Sequence, residues 1–191
     1  LDETALIHNL KQGNQTAFRQ LVETYQNRVY NTVLSMLQAE NEAEDVCQEV
    51  FIEVFESIGK FKGESKLFTW IYRIAISKTL DTIRKKKRKK RGGLLQSLFS
   101  RKSSSAFEQP DFIHPGIQLE DRERAAILFK AIDKLPDNQK IAFTLSKIES
   151  LSYQEISEAM NISVSSVESL LFRAKKILQK YLYDYYKNEA I

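Results

Sequence analysis

Apolar side chains recur every third or fourth position through most of this chain. Phe18, Leu21, Val22, Tyr25, Val29, Val33 and Leu37 form one such series, and Ala43, Val46, Val50, Val54 and Ile58 form a second. Leu67, Ile71, Ile74 and Ala75 make a third. This spacing places each series on one side of an α-helix, and an apolar stripe of that kind must pack against another helix. With only 6 Gly and 3 Pro in 191 residues, few positions punctuate the pattern. The expected fold class is therefore all-α.

The pattern breaks once. Gly92-Gly93, Ser103-Ser104-Ser105, Pro110 and Pro115 interrupt it and read as a flexible linker over 92–117, with Gly92-Gly93 ending the preceding helix. Leu94, Leu95, Leu98 and Phe99 are the apolar exception there and fit a short helical turn that docks elsewhere. The chain then divides into two small helical domains, 1–91 and 118–191. In the second, helices are expected over Leu119 to Leu135, Asp137 to about Ser150, Tyr153 to Met160 and Ser165 to Tyr186. The linker is long enough to allow a compact, inhibited arrangement of the free protein.

Charge is distributed unevenly. Residues 1–83 carry a net −4, while 84–91 (Arg84-Lys85-Lys86-Lys87-Arg88-Lys89-Lys90-Arg91) are all basic. A local basic block of this kind is the electrostatic footprint of a polyanion partner. Lone Cys47 forms no intramolecular disulfide, which fits a reducing, cytoplasmic setting. No apolar run approaches the roughly 18 residues that span a bilayer, so membrane insertion is not expected. His8 and His114 lie far apart and no Gly-rich phosphate loop is present. Neither a metal, a cofactor nor an enzyme is therefore expected.

Three surfaces carry the functional argument. The stretch Ser152 to Leu178 fits a helix-turn-helix. Asn161 stands where the turn needs a positive φ, Ser157 permits close crossing, and Ile162 plugs the angle. Val167, Leu170, Leu171, Ala174, Ile177, Leu178 and Tyr181 form the buried side of the last helix. Ser163, Ser165, Ser166, Glu168 and Ser169 are left at its exposed start, where short polar side chains reach base edges in a major groove. Arg173, Lys175, Lys176 and Lys180 follow and suit phosphate contacts. Glu168 fits two roles, accepting from a cytosine amino group or capping the helix with Ser165; Ser163 is an equally good cap. A plain helical hairpin fits the same spacing.

The second surface is an acidic face made by Glu42, Asp45, Glu49, Glu53 and Glu56, with Gln48 beside them. It reads either as a solvated face or as a dock for a basic partner. The third lies on the helix beginning near Leu67. At 100° per residue Trp70, Arg73, Ser77, Arg84 and Arg88 fall on one narrow face. An aromatic among cations stacks on and neutralises an unpaired strand. The segment Phe61 to Lys66 reads as a loop able to receive a flipped base. The alternative is that Trp70 is a core residue.

These elements together resemble a known family. Ala43-Glu44-Asp45-Val46-Cys47-Gln48-Glu49-Val50-Phe51, then Phe61 to Trp70, then Ile71-Tyr72-Arg73-Ile74-Ala75 with Asp81 and Arg84 are similar to region two of the extracytoplasmic-function sigma factors of bacterial RNA polymerase. Leu135-Pro136, Tyr153-Gln154-Glu155-Ile156-Ser157 and Ser166-Val167-Glu168-Ser169-Leu170-Leu171-Phe172-Arg173-Ala174 are similar to their region four. The resemblance implies core RNA polymerase and promoter DNA as partners, with an anti-sigma factor holding the protein inactive. It implies polymerase docking by Asp45, Gln48, Glu49 and Glu53. Opening and reading of the minus-ten element would fall to Lys62, Ser65, Lys66, Phe68, Trp70, Arg73, Ser77, Arg84 and Arg88. Ser163, Ser165, Ser166, Glu168, Ser169, Arg173 and Lys176 would read the minus-thirty-five element. The chain departs from the family at Ser77, where Asn is common; serine has a shorter reach and lacks the amide's paired donor and acceptor. The basic run is also unusually long.

Overall fold

The structure, a computed structural model, describes residues 3–99 and 122–189. Among these residues the regular elements are helical throughout. The first domain is α1 (Glu3–Lys11), α2 (Gln15–Leu37), α3 (Glu40–Ser57), a 3-10 turn (Ile58–Lys60) and α4 (Leu67–Phe99). The second is α5 (Arg122–Asp133), α6 (Asp137–Lys147), α7 (Tyr153–Met160) and α8 (Val164–Glu189).

Local chemistry sets most of these boundaries. Asn14, in extended backbone, accepts a hydrogen bond from the Ala17 N–H at 3.0 Å and starts α2. Gln38 takes a left-handed φ of 52° and ends it, its N–H donating to Leu34 O. Glu40 and Glu42 in the first turn of α3 oppose the positive end of its dipole. The N-terminus of α4 is capped from far away: the Leu67 N–H donates to the Glu3 carboxylate at 3.1 Å.

The three apolar stripes of the first domain meet in one core. Leu21, Val29 and Val33 of α2, Ala43, Val46, Val50 and Val54 of α3, and Leu67, Ile71 and Ala75 of α4 are buried together. Phe18, Val22 and Tyr25 pack only partly against it.

One expected boundary is corrected. Gly92-Gly93 do not end α4, whose backbone stays helical to Phe99. Each interior glycine costs about 1 kcal/mol relative to alanine. Extending an existing helix nevertheless gains a hydrogen bond per residue fixed, so a glycine pair weakens a helix without stopping it. The expected linker from 100 to 117, and the first residues of the helix expected from Leu119, lie outside the described residues.

The second domain holds the helix-turn-helix. Ser152 and Glu155 form a reciprocal capping box at the start of α7. Asn161 ends α7 with φ 54°, as the turn requires. Ser157 is small enough for the crossing and donates from its hydroxyl to Ile162 O. Of the two caps open for α8, Ser163 is the one used, accepting from the Ser166 N–H at 3.2 Å. Val167, Ala174 and Leu178 form the buried line of α8, while Leu170, Leu171, Ile177 and Tyr181 are half-buried.

The two domains share a core. Met36, Tyr72 and Ile76 of the first are buried against Ile141, Leu145, Leu151, Ile156, Ala159 and Val167 of the second. The free chain is thus closed.

Candidate nucleic-acid and polymerase interfaces

The loop between the 3-10 turn and α4 curls over the start of α4. Lys60, Lys62 and Arg73, together with Glu64 and Glu158, line a cleft of about 350 Å³ there, with Phe61, Ser65 and Trp70 completing its wall. Trp70 is half-buried, its ring 5.2 Å from that of Phe61 at a 45° tilt. One edge of Trp70 is therefore core and the other faces the cleft. Lys62 is exposed and Ser65 half-buried at the rim.

The remaining members of this group are spread more widely. Ser77, Arg84 and Arg88 are exposed further along α4, and Arg84 pairs with Asp81 at 3.1 Å. Lys66 and Phe68 turn from the loop cleft toward the second domain. Phe68 packs edge-on to Tyr72 at 6.1 Å, with the Arg28 and Lys66 cations over its ring at 5.8 and 5.4 Å.

Several of these cations are already engaged. The Arg73 guanidinium donates from Nε and Nη2 to the carbonyl of Glu158 at 3.2 and 2.9 Å. Lys66 Nζ donates to the Glu155 carboxylate at 2.8 Å. Beside them Tyr72 donates its hydroxyl to Glu149 at 2.6 Å, and Arg28 lies 3.6 Å from the same carboxylate. The Glu149 side chain is only 7% exposed, so this interdomain carboxylate depends on both partners. Burial, and then the bond to Glu149, push the Tyr72 hydroxyl up from its ordinary value.

Glu155 is held at about 2, from an ordinary 4.5, first by the Lys66 hydrogen bond and then by the Ser152 N–H. A carboxylate with a depressed folded pKa stabilises the structure above its unfolded value and loses that stabilisation as pH falls toward the folded one. The Lys66–Glu155 link should therefore be complete above pH 4.5 and fade toward about pH 2. Acid titration of the hydrodynamic radius checks this. The wild type should keep its neutral-pH radius down to about pH 4.5 and expand as pH falls from there toward about 2, and Glu155→Gln should flatten the dependence.

The acidic face is on α3. Asp45, Gln48 and Glu49 are exposed, whereas Glu53 is half-buried and lies 3.5 Å from Lys78 of α4. Glu42 pairs with Lys86. The periodicity argument missed the centre of this face. Ile52, one turn on from Gln48, and Phe55, about two turns on, are 58% and 50% exposed. With Phe18, Val22, Cys47 and Phe51 they line a cleft of about 490 Å³. Both residues fall outside the buried series Val46, Val50 and Val54, and that surplus was the available signal. Burial pushes the Cys47 thiol up to about 11, which keeps it in the protonated form.

At the start of α8, Ser163, Ser165, Ser166, Glu168, Ser169, Arg173 and Lys176 are all exposed. Since Ser163 caps the helix, Glu168 is not needed for that role. Arg173 donates to Ser169 O at 3.1 Å, and the Lys176 ammonium lies 4.6 Å over the Phe172 ring. Among the described residues no acid–His–Cys cluster suits a metal ion, and no helix is long and apolar enough to cross a membrane.

Among the described residues, helices that carry an exposed acidic face, a cleft with an aromatic among charged side chains and a helix-turn-helix are the features of a DNA-binding transcription protein. Comparison with known proteins sharpens this. Sigma-70 region 2 matches residues 21–89, and Sigma-70, region 4 matches residues 125–178. The ECF RNA polymerase sigma-E factor of Haemophilus influenzae is 33% identical over 179 residues, spanning 94% of each chain. The factor of the same name from Escherichia coli (strain K12) is 29% identical over 178 residues, 93% of each. The chain belongs to the extracytoplasmic-function sigma factor family. Solved structures agree on the fold. CnrH, in complex with the cytosolic domain of CnrY, superposes with TM-score 0.70 at 21% identity, covering 95% of this chain and 97% of that one. The sigma factor RpoE of Bartonella quintana, in complex with the anti-sigma factor NepR, superposes with TM-score 0.63 at 20% identity, covering 87% and 96%.

Proposed function

We propose that this sigma factor docks on core RNA polymerase through α3 and directs initiation by reading two promoter elements, one with each domain. The observation that carries this reading is the loop cleft, where Trp70 offers a stacking face among Lys62, Ser65 and Arg73. A base unstacked from the minus-ten element enters that cleft, at a cost of a few kcal/mol that stacking and phosphate contacts offset. Lys66, Phe68, Ser77, Arg84 and Arg88 extend the same surface along the strand. Ser163, Ser165, Ser166, Glu168 and Ser169 meet base edges of the minus-thirty-five element, and Arg173 and Lys176 its phosphates. Each domain binds its element weakly, and tethering on polymerase makes joint binding tight. An anti-sigma factor completes the reading, since the solved relatives CnrH and RpoE are each held in complex with another protein. The proposed division of the chain is 1–91 for polymerase and the minus-ten element and 118–191 for the minus-thirty-five element.

For the dock, Asp45, Gln48 and Glu49 supply charge and hydrogen bonds around an apolar centre at Ile52 and Phe55, with Glu53 at the edge. Interfaces of this design lose most on reversal of a central charge. Glu49→Lys should weaken binding to core polymerase by about tenfold, or about 1.4 kcal/mol, measured by titration of labelled protein. Unchanged polymerase affinity would remove α3 from the interface. Tight duplex binding without polymerase would instead favour a conventional helix-turn-helix regulator.

A further inference from the structure

The basic run lies on an unbroken helix. The backbone of α4 is helical from Leu67 to Phe99, so the cations of 84–91 continue it without a turn. The helix also outruns the core that holds it. Ile83 packs partly against the first-domain core, Lys86 pairs with Glu42, and Lys87 pairs with Asp137 at 2.7 Å. Residues 88–99 carry the backbone about 18 Å past those anchors, at about 1.5 Å per residue. Lys85, Arg88 and Lys89 are exposed, and none of the three has an ion pair among the described residues. Like charges one turn apart on a helix oppose its formation, and an anionic surface relieves that repulsion.

The kind of anionic surface follows from the residues after the run. At about 100° per residue, the positions of Arg84, Arg88, Arg91, Leu95 and Phe99 fall within an arc of about 80° on the helix. Arg84 and Arg88, the members of this line whose exposure is described, face solvent. By register, the same side of α4 is first cationic and then apolar, with Leu94 and Leu98 beside the apolar end. A nucleic-acid backbone takes the cations but offers Leu95 and Phe99 no partner. A bilayer interface takes both, because anionic headgroups meet the cations and apolar side chains sink to the acyl boundary. No crossing of the bilayer is involved: among the described residues no helix is long and apolar enough for that.

We infer that the C-terminal half of α4 is a peripheral membrane anchor that lays the free protein on anionic phospholipid. Headgroup charge supplies the attraction, and the apolar end of the line lengthens the stay at the surface. The anchor leaves the acidic face free, since Asp45, Gln48 and Glu49 are exposed on α3. It needs neither polymerase nor promoter DNA, so it stands or falls apart from the promoter reading.

The test is co-sedimentation of the full chain with vesicles of pure phosphatidylcholine and of a phosphatidylcholine–phosphatidylglycerol mixture of about 7:3. The protein should bind the mixed vesicles and leave the zwitterionic ones. Arg88→Gln with Arg91→Gln should lower the partition about thirtyfold, the effect of two cations at about fivefold each. Leu95→Gln with Phe99→Gln keeps the charge and should lower it about tenfold. In a Trp70→Phe background, the emission of Phe99→Trp should shift to the blue on the mixed vesicles. Binding to neither vesicle, or equally to both, overturns the anchor. Wild-type binding by the Leu95→Gln and Phe99→Gln pair also overturns it, and leaves a patch for polyanions in general. Tight binding of a mixed-sequence DNA duplex without binding to the mixed vesicles would overturn it in favour of nucleic acid.

Discussion

Leu145→Ala should lower the stability of the folded chain by about 3 kcal/mol, within the range of about 2 to 5 seen for buried leucine truncation. Leu145 is fully buried where the helix-turn-helix core and the domain seal coincide, among Ile141, Ile156 and Val167 on its own side and Tyr72 and Ile76 on the other. Removing three carbons forfeits transfer energy and leaves a cavity walled by helices from both domains. Those walls are α4, anchored in the first core through Ile71 and Ala75, and α7, fixed by its capping box. Neither can collapse into the gap cheaply, so the cavity penalty persists. Against a typical total of 5 to 15 kcal/mol, the loss is large. Urea unfolding checks it, with the midpoint expected to fall at an unchanged slope. A loss below about 1 kcal/mol would mean that the helices close over the site.

Arg73→Glu should reduce open-complex formation by about a hundredfold, or about 2.8 kcal/mol. In the proposed reading the guanidinium faces the melted strand beside Trp70, and the reversed charge repels phosphate there. The same change removes both hydrogen bonds to the Glu158 carbonyl and so loosens the closed chain. The two effects oppose each other, and the measurement separates them. The free variant should be more expanded in scattering, yet the variant on polymerase should open promoter DNA poorly, read by single-strand-specific chemical reactivity. Arg73→Lys keeps the charge but loses the forked donor geometry, and should fall between. Wild-type opening by Arg73→Glu would take this residue out of the DNA surface.

Much of this was legible in the residues themselves. The spacing of Val46, Val50 and Val54 specified α3 and its inward side, and Asn161 marked the turn of the helix-turn-helix. Trp70 was harder, because an aromatic at helical spacing serves core and site alike, and here it does both. Ile52 and Phe55 were visible only as apolar residues left over once the stripe of α3 had been counted. Gly92-Gly93 misled, since glycine is a weak stop signal inside a helix that other forces extend.

By itself the sequence determined the helices, their caps, their inward faces and the family, because these depend on residues within a few positions of one another or on motifs in a set order. The closed arrangement was decided by tertiary structure. Tyr72 and Ile76 look like surplus apolar residues beside the Ile71–Ala75 stripe, yet they bury a second side of α4. Tyr72 finds Glu149, Arg73 finds Glu158 and Lys66 finds Glu155 across 77, 85 and 89 positions of chain. Nothing in local spacing encodes such pairs; they arise only when two complete domains, each with an apolar strip left over, cover those strips with one another.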